Sequence, residues 1–255
     1  MATTAAGTAA RLIRLGVGLG SMLLCAGCIW MEDEGRGGAA AECLLASRLA
    51  AAVGTQWVEA VYAAVEGMAR PAPTGPWDLR SFGVPAARQV RTVVAVADTP
   101  HAAAFPTASF AVQTEIEGAA SAPMFRFYEE RDDGWYWLGD GDRTLPVLIL
   151  PPQRVLPRVL RVGQRWEQRY RDSRFAIEMT AEHEVVGCGD VRVPAGQFSN
   201  ALLVRSTYRS PDSPAFSVVH AWHAPAIGIV ATTTASSFVE STATVTVLVE
   251  YRPVG

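Results

Sequence analysis

The sequence predicts a mainly β (α+β) fold, a single large curved antiparallel sheet or half-barrel with an N-terminal amphipathic helix packed on it. Two observations predict this fold. Apolar residues recur at helical spacing only before residue 70, and from Gln89 onward they alternate with polar residues. The composition suits a globular chain, because 49% of the 255 residues are hydrophobic and 18% are charged.

The charged residues exclude several classes of function. All 22 basic residues are arginine, so Schiff-base chemistry and a lysine general base are ruled out. The net charge of −3 argues against a nucleic-acid partner, since neutralising phosphates requires a basic domain.

The N-terminus has the pattern of an export signal. Arg11 and Arg14 precede a short apolar stretch, Leu15 to Leu24, which is too short to cross a bilayer. The small pair Ala26-Gly27 before Cys28 resembles a bacterial lipobox, although Cys25 stands where an aliphatic residue is usual. The prediction is a signal peptide over residues 1–27.

In this interpretation Cys28 is lipidated and becomes the first residue of the mature chain. The acyl chains anchor the protein to the membrane. Because Ile29 and not aspartate follows the cysteine, we expect the periplasmic face of the outer membrane. The alternative is an ordinary signal cleaved after Ala39-Ala40-Ala41, which would have to include the acidic run Glu32 to Glu34.

Residues 31–38 are polar and glycine-rich, so the segment 28–38 is expected to form a tether between the anchor and the fold. A single β-rich domain is predicted over residues 39–255, beginning with a helix from Ala40 to Ala69. Placed at 100° per residue, Leu49, Val53, Trp57, Val61, Val65 and Met68 fall on one side of that helix.

The remaining chain has the two-residue period of β-strands. Asp132-Asp133-Gly134 predicts a tight hairpin turn. In the segment Phe175 to Val185, apolar side chains share one face and glutamates share the other, which indicates an antiparallel sheet with one wet face. The predicted strands are Val90–Val96, Phe110–Ile116, Met124–Glu130, Trp135–Leu138, Phe175–Val185, Ala201–Arg209, Ala215–His223, Ile227–Thr234 and Phe238–Tyr251.

Two cysteines remain in the mature chain, Cys43 and Cys188. An exported compartment permits a disulfide between them, and two buried free thiols are the alternative. No local motif around either residue indicates a catalytic cysteine.

No catalytic residue, metal site or cofactor is predicted. The sequence has no nucleophile elbow, zinc-protease helix, dinucleotide fingerprint or P-loop in the mature region. His220 and His223 lie three residues apart on a predicted strand, so they point to opposite faces and make a poor metal pair. His183 and His220 are on apolar faces, where a hydrogen-bonded core histidine is the more frequent role.

The charges are unevenly distributed along the chain. Eight acidic side chains lie between residues 115 and 142, whereas seven arginines lie between Arg154 and Arg174. Acidic and basic residues at opposite ends or on neighbouring strands could pair across the sheet, and a solvated face is the default interpretation. An arginine patch that faces anionic lipid headgroups is the alternative hypothesis.

Three segments carry a resemblance to known proteins. They are Leu160-Arg-Val-Gly-Gln-Arg-Trp166, Val191-Arg-Val-Pro-Ala-Gly-Gln-Phe198 and Ala221-Trp-His-Ala-Pro-Ala-Ile-Gly-Ile-Val230. Together they resemble a group of bacterial envelope proteins similar to the open half-barrel of LolA-like lipoprotein carriers. The resemblance covers roughly residues 122–252 and departs at His223 and Ala226, where tyrosine and glycine are usual. It implies a fold and a compartment and transfers no catalytic residue.

The sequence therefore predicts a non-enzymatic, lipid-anchored envelope protein that binds a lipid or other apolar ligand in a half-barrel. The alternative is a structural or assembly factor that acts through an envelope protein partner and has no cavity. A hydrolase without recognisable motifs is the third possibility. The expected apolar cavity residues are Trp57, Phe175, Ile177, Met179, Phe198, Trp222 and Val247.

Overall fold

Most of the chain from Gln56 onward consists of extended segments, many of which alternate buried and exposed side chains. The computed structural model describes residues 43–46, 52–63, 75–80, 82–174, 176–214, 216–237 and 242–254, all within the compact unit Ala39–Gly255. The strands are β1 (Leu44–Ala46), β2 (Gln56–Ala63), β3 (Trp77–Asp78), β4 (Ala87–Val94), β5 (Phe110–Ile116), β6 (Met124–Arg131), β7 (Gly134–Gly141), β8 (Pro146–Pro157), β9 (Val159–Arg161), β10 (Arg165–Asp172), β11 (Glu178–Val193), β12 (Gly196–Arg209), β13 (Phe216–Ala224), β14 (Gly228–Ser236) and β15 (Thr242–Arg252).

Helical structure in the described residues consists of two short 3-10 turns, Val96–Asp98 and Ala102–Ala104. None of the described helical segments has the length and hydrophobicity that a membrane-crossing helix requires.

Twelve strands form a closed antiparallel barrel. They follow one another around the ring in chain order, β2, β4 to β8 and β10 to β15, with β15 returning to pair with β2. The ring closes at β10, which pairs with both β8 and β11. The prediction of a mainly β, antiparallel protein is confirmed, and the prediction of an open half-barrel is wrong.

The predicted helix from Ala40 to Ala69 is also wrong. Its described parts are the strands β1 and β2, while residues 40–42, 47–51 and 64–69 lie outside the described residues. In β2, Trp57 and Glu59 point into the barrel, and Val58 and Ala60 are buried on the outer face. Because both faces are buried, the sequence of β2 lacks the alternation that marks a half-exposed strand.

The outer face of the barrel is covered in two places. The segment that contains β3 pairs in parallel with β11 and packs Trp77 edge-on against Trp222, with ring centroids 5.9 Å apart. The two 3-10 turns cover the outer face of β5 to β7, where Phe105 stacks on Phe127 at 3.9 Å. These layers explain why outward-facing residues such as Trp222 are buried.

The start of the described chain is tied to the barrel. Strand β1 pairs with β9, and Cys43 forms a disulfide with Cys188 of β11 across a Cα–Cα distance of 6.3 Å. The predicted signal peptide, the lipidation residue Cys28 and the tether over 28–38 lie outside the described residues.

The hairpin turn predicted at Asp132-Asp133-Gly134 is confirmed. Asp132 and Asp133 form the turn between β6 and β7, and Pro194 and Ala195 form the turn between β11 and β12. Strands β8 and β10 were not predicted, because β8 contains internal prolines and β10 is rich in arginine. In β10 the arginines point outward while Trp166 is buried, so the two-residue period is present there as well.

The turn between β13 and β14 contains a residue in a left-handed backbone conformation. Ala226 has a φ of 62°, in the left-handed region that disfavours any residue with a Cβ atom. Glycine has no Cβ atom and adopts this conformation without strain.

We therefore expect Ala226→Gly to raise the free energy of unfolding by about 0.5–1 kcal/mol, because the strain removed slightly exceeds the entropy cost of glycine. The matched control is Gly228→Ala in the same turn, where φ is 88° and the substitution should lower stability. Urea denaturation of the two variants measures both effects, and an unchanged midpoint for both would contradict the argument.

Candidate functional site

The interior of the barrel contains a cavity of about 530 Å³, within the range of small-molecule binding sites. Eleven of the twelve barrel strands contribute residues to its wall. The polar side chains of the wall are Glu59, Gln89, Arg91, Thr114, Arg126, Asp140, His183, Ser206, Tyr208, His223, Thr232, Thr234 and Thr246. The apolar and aromatic residues that line it are Val112, Met124, Phe125, Tyr128, Val155, Leu156, Val204, Val219, Ala221 and Ile229.

One end of the barrel is more open than the other. Inward-facing Ile116 and Met124, at the β5–β6 hairpin, are each 46% exposed. At the opposite end, four inward-facing aromatic side chains are buried, namely Trp57, Phe110, Trp135 and Trp166. The mouth of the cavity therefore lies at the end with the β5–β6 hairpin.

A buried ion pair lies on the β2 and β4 side of the wall. Arg91 donates from NH2 to Glu59 Oε1 at 2.6 Å, and Gln89 donates to Glu59 Oε2 at 2.7 Å. The Arg91 guanidinium also lies over the Trp57 ring, 5.3 Å from its centroid. Since the side chain of Glu59 is only 6% exposed, this carboxylate depends on its partners for the solvation it has lost.

A second arginine on β6 pairs with a carboxylate on β7, but its side chain is half exposed. Arg126 Nε donates to Asp140 Oδ1 at 2.9 Å, and the guanidinium lies 5.2 Å from the centroid of Trp137. Trp137 Nε1 donates to the same carboxylate oxygen at 2.9 Å. The charge of Asp140 raises the pKa of Arg126, so the guanidinium stays charged.

A chain of buried polar groups crosses the wall at His183. Its Nδ1 lies 2.8 Å from Ser206 Oγ, and its Nε2 lies 3.2 Å from Gln153 Nε2. Trp166 stacks on the imidazole with ring centroids 4.8 Å apart. Burial lowers the pKa of His183 to about 4, so the ring is neutral at physiological pH.

The histidines have separate positions. His183 and His223 face the cavity, whereas His220 lies on the outer face of β13, so His220 and His223 do point to opposite faces as predicted. Among the described residues, no group of three histidine, cysteine, aspartate or glutamate side chains is placed to hold a metal ion.

The predicted apolar cavity residues do not come together. Trp57 is buried at the closed end of the barrel, Ile177 is 44% exposed and Met179 packs near Tyr170. Trp222 and Val247 are buried on the outer face, and Phe198 packs beside the same outer cluster. None of these six residues belongs to the wall of the 530 Å³ cavity, and Phe175 lies outside the described residues.

Charges from the two sequence clusters pair with each other where the β6–β7 hairpin meets the C-terminal half of β8. Arg154 NH1 lies 2.9 Å from Asp133, and Arg158 pairs with Glu130. Arg165 is paired with Glu184 of β11. The hypothesis of a lipid-facing arginine patch therefore applies to fewer free arginines than the sequence suggested.

Neither a family model nor a curated protein matches the chain. Two solved structures are similar to it. One, from Parabacteroides distasonis ATCC 8503, is described as "a putative lipoprotein"; it has a TM-score of 0.36 and 13% identity, over 83% of this chain and 98% of that chain. The other, from Bacteroides fragilis NCTC 9343, is described as "a putative exported protein with YmcC-like fold"; it has a TM-score of 0.41 and 12% identity, over 83% and 99% of the two chains.

The Glu59–Arg91 pair leads to a prediction about stability. We expect Glu59→Gln to lower the free energy of unfolding by about 2–3 kcal/mol, because Arg91 would keep a largely buried charge without a counterion. The matched control is Glu250→Gln, which breaks an ion pair with Arg252 whose side chains are both about half exposed. Its expected effect is below about 1 kcal/mol. Equal midpoints for the two variants in urea would show that the barrel pair is not buried in solution.

The histidines predict a loss of stability in mild acid. Burial lowers the pKa of His183, His220 and His223 to about 4 each, whereas an unfolded histidine titrates near 6.5. The unfolded chain binds more protons, so the stabilisation is fully present above about pH 6.5 and is lost as the pH falls towards 4. We expect about 2–3 kcal/mol per histidine, measured as the urea midpoint between pH 7 and 4.

The control for this prediction is to remove one histidine at a time. His220→Phe and His223→Phe should each flatten the pH dependence, because a phenylalanine cannot take up the proton. The lowered pKa of Asp142, about 2, lies below this window and does not obscure it. A wild-type midpoint that stays level down to pH 4 would contradict the assignment of neutral buried histidines.

Proposed function

We propose that the protein is an exported envelope protein, anchored by lipidated Cys28 at the periplasmic face of the outer membrane, whose barrel binds a small amphiphilic ligand. The observation that carries the binding function is the cavity inside the barrel, with its mouth at the β5–β6 hairpin. Its wall combines apolar side chains with hydrogen-bonding groups, which suits a ligand that has both an apolar and a polar part.

The export part of the proposal rests on the chain itself. The N-terminal apolar stretch and the lipobox-like Ala26-Gly27-Cys28 support secretion and anchoring. The disulfide between Cys43 and Cys188 supports an oxidising compartment, because such bonds are rare in proteins of the cytosol.

The protonation state of His183 favours binding over hydrolysis. Among the described residues of the cavity wall, it is the one histidine that contacts a serine, Ser206. Ser206 and His183 are both buried, at 8% and 4% exposure. A histidine whose pKa is lowered to about 4 is a poor general base near neutral pH. The Ser206–His183 contact therefore suits a structural hydrogen bond better than an activated nucleophile.

Native mass spectrometry tests the proposed function. The sample is the chain from Ile29 to Gly255, exported to a bacterial periplasm; it contains every described strand and both disulfide cysteines. We expect a stoichiometric adduct that organic solvent releases, because a pocket of this size and mixed lining favours an occupant. A bare chain of the sequence mass would instead favour an assembly factor that acts through protein partners.

A further inference from the structure

The inner corner of the cavity, formed by Arg91 and His223, contains polar groups that no described residue satisfies. His223 is 4% exposed, lines the cavity and has no hydrogen-bond partner among the described residues. Arg91 Nε is buried and likewise lacks a partner. Other buried polar atoms without a partner, such as His220 Nδ1 and Thr233 Oγ1, belong to residues outside the cavity wall, so only the groups of the inner corner are placed to hydrogen-bond a ligand.

The local structure directs His223 inward. The register of β13 against β14 shifts between Trp222 and His223, which is the mark of a β-bulge. Bulges re-aim side chains and are frequent beside binding sites. At this bulge Trp222 is buried on the outer face, while His223 lies opposite Ile229 at the cavity wall.

The electrostatics of the inner corner are neutral. Glu59 compensates the charge of Arg91 through the 2.6 Å contact, and Asp140 compensates Arg126. Burial, together with the nearby charge of Arg91, lowers the pKa of His223 to about 4, so its ring carries no charge near neutral pH. The inner corner therefore offers hydrogen-bond donors without an excess of positive charge.

We propose that the inner corner hydrogen-bonds an uncharged oxygen of the ligand, such as an amide or ester carbonyl or a hydroxyl, and so selects neutral amphiphiles over anionic ones. This inference rests on the proposed function and specifies the ligand class. A carboxylate placed there would lose its hydration beside the Glu59 carboxylate and gain no unpaired cation in return. A neutral oxygen meets no such penalty and satisfies the donors of Arg91 and His223.

The test compares three probes of equal chain length, octanamide, octanoate and octylammonium, below the concentrations at which they aggregate. Calorimetry at pH 7.5 measures their dissociation constants with the solvent-stripped chain from Ile29 to Gly255. We expect octanamide to bind at least about tenfold more tightly than octanoate or octylammonium, since only the amide offers a neutral oxygen.

Two matched variants locate the effect. His223→Phe should weaken octanamide binding about tenfold, because it removes a hydrogen bond while keeping a flat ring in the wall. His220→Phe removes an equally buried histidine three residues away on the outer face, and it should leave binding within about twofold. His223→Gln, which retains an amide, is expected to restore most of the affinity and serves in place of the phenylalanine variant if that one does not fold.

The outcomes separate this inference from the proposed function. If octanoate binds as tightly as octanamide, or if the His223 and His220 variants bind octanamide equally well, the inner corner does not select neutral ligands, although the barrel still binds amphiphiles. If no probe binds and the purified chain carries no adduct, both the proposed function and this inference are wrong.

Discussion

The pairing of β10 with both β8 and β11 closes the sheet into a barrel and so creates its interior. Seven residue pairs join β10 to β11, from Arg165–Glu184 to Arg171–Glu178, whereas only two pairs, at Leu150 and Ile149, join it to β8. Closure removes the edges that an open sheet would present to other chains. It also turns one face of all twelve strands into a shared interior, where each polar group has to find a partner within the barrel.

The barrel meets that requirement with paired charges and a hydrogen-bonded histidine. Arg91 and Arg126 each contact a carboxylate and the face of a tryptophan; the Arg91 pair is largely buried, whereas the Arg126 side chain is half exposed. His183 is satisfied by Ser206 on one ring nitrogen and approached by Gln153 on the other. His223, by contrast, faces the cavity, and no described residue hydrogen-bonds its ring.

The sequence predicts the strands whose two faces differ and fails where both faces are alike. In β11, buried Val185 and exposed Glu182 give the alternation that marks a strand. In β2, the outer layer covers Val58 while the barrel encloses Trp57, so the apolar residues fit a helical period by coincidence. Closure of the barrel could not be predicted, because it depends on β8 and β10. The prolines of β8 and the arginines of β10 are not typical of strands.

The candidate site was missed for a related physical reason. When polar and apolar residues alternate along a strand, the polar face is assigned to solvent. This rule holds for an open sheet but not for a closed barrel. Glu59, Thr232 and Thr246 therefore have the pattern of surface residues although they line the cavity. Retaining such groups inside costs stability that an apolar interior would not lose. Residues whose sequence pattern disagrees with their place in the fold are expected at functional sites. In this barrel such residues lie on the cavity wall.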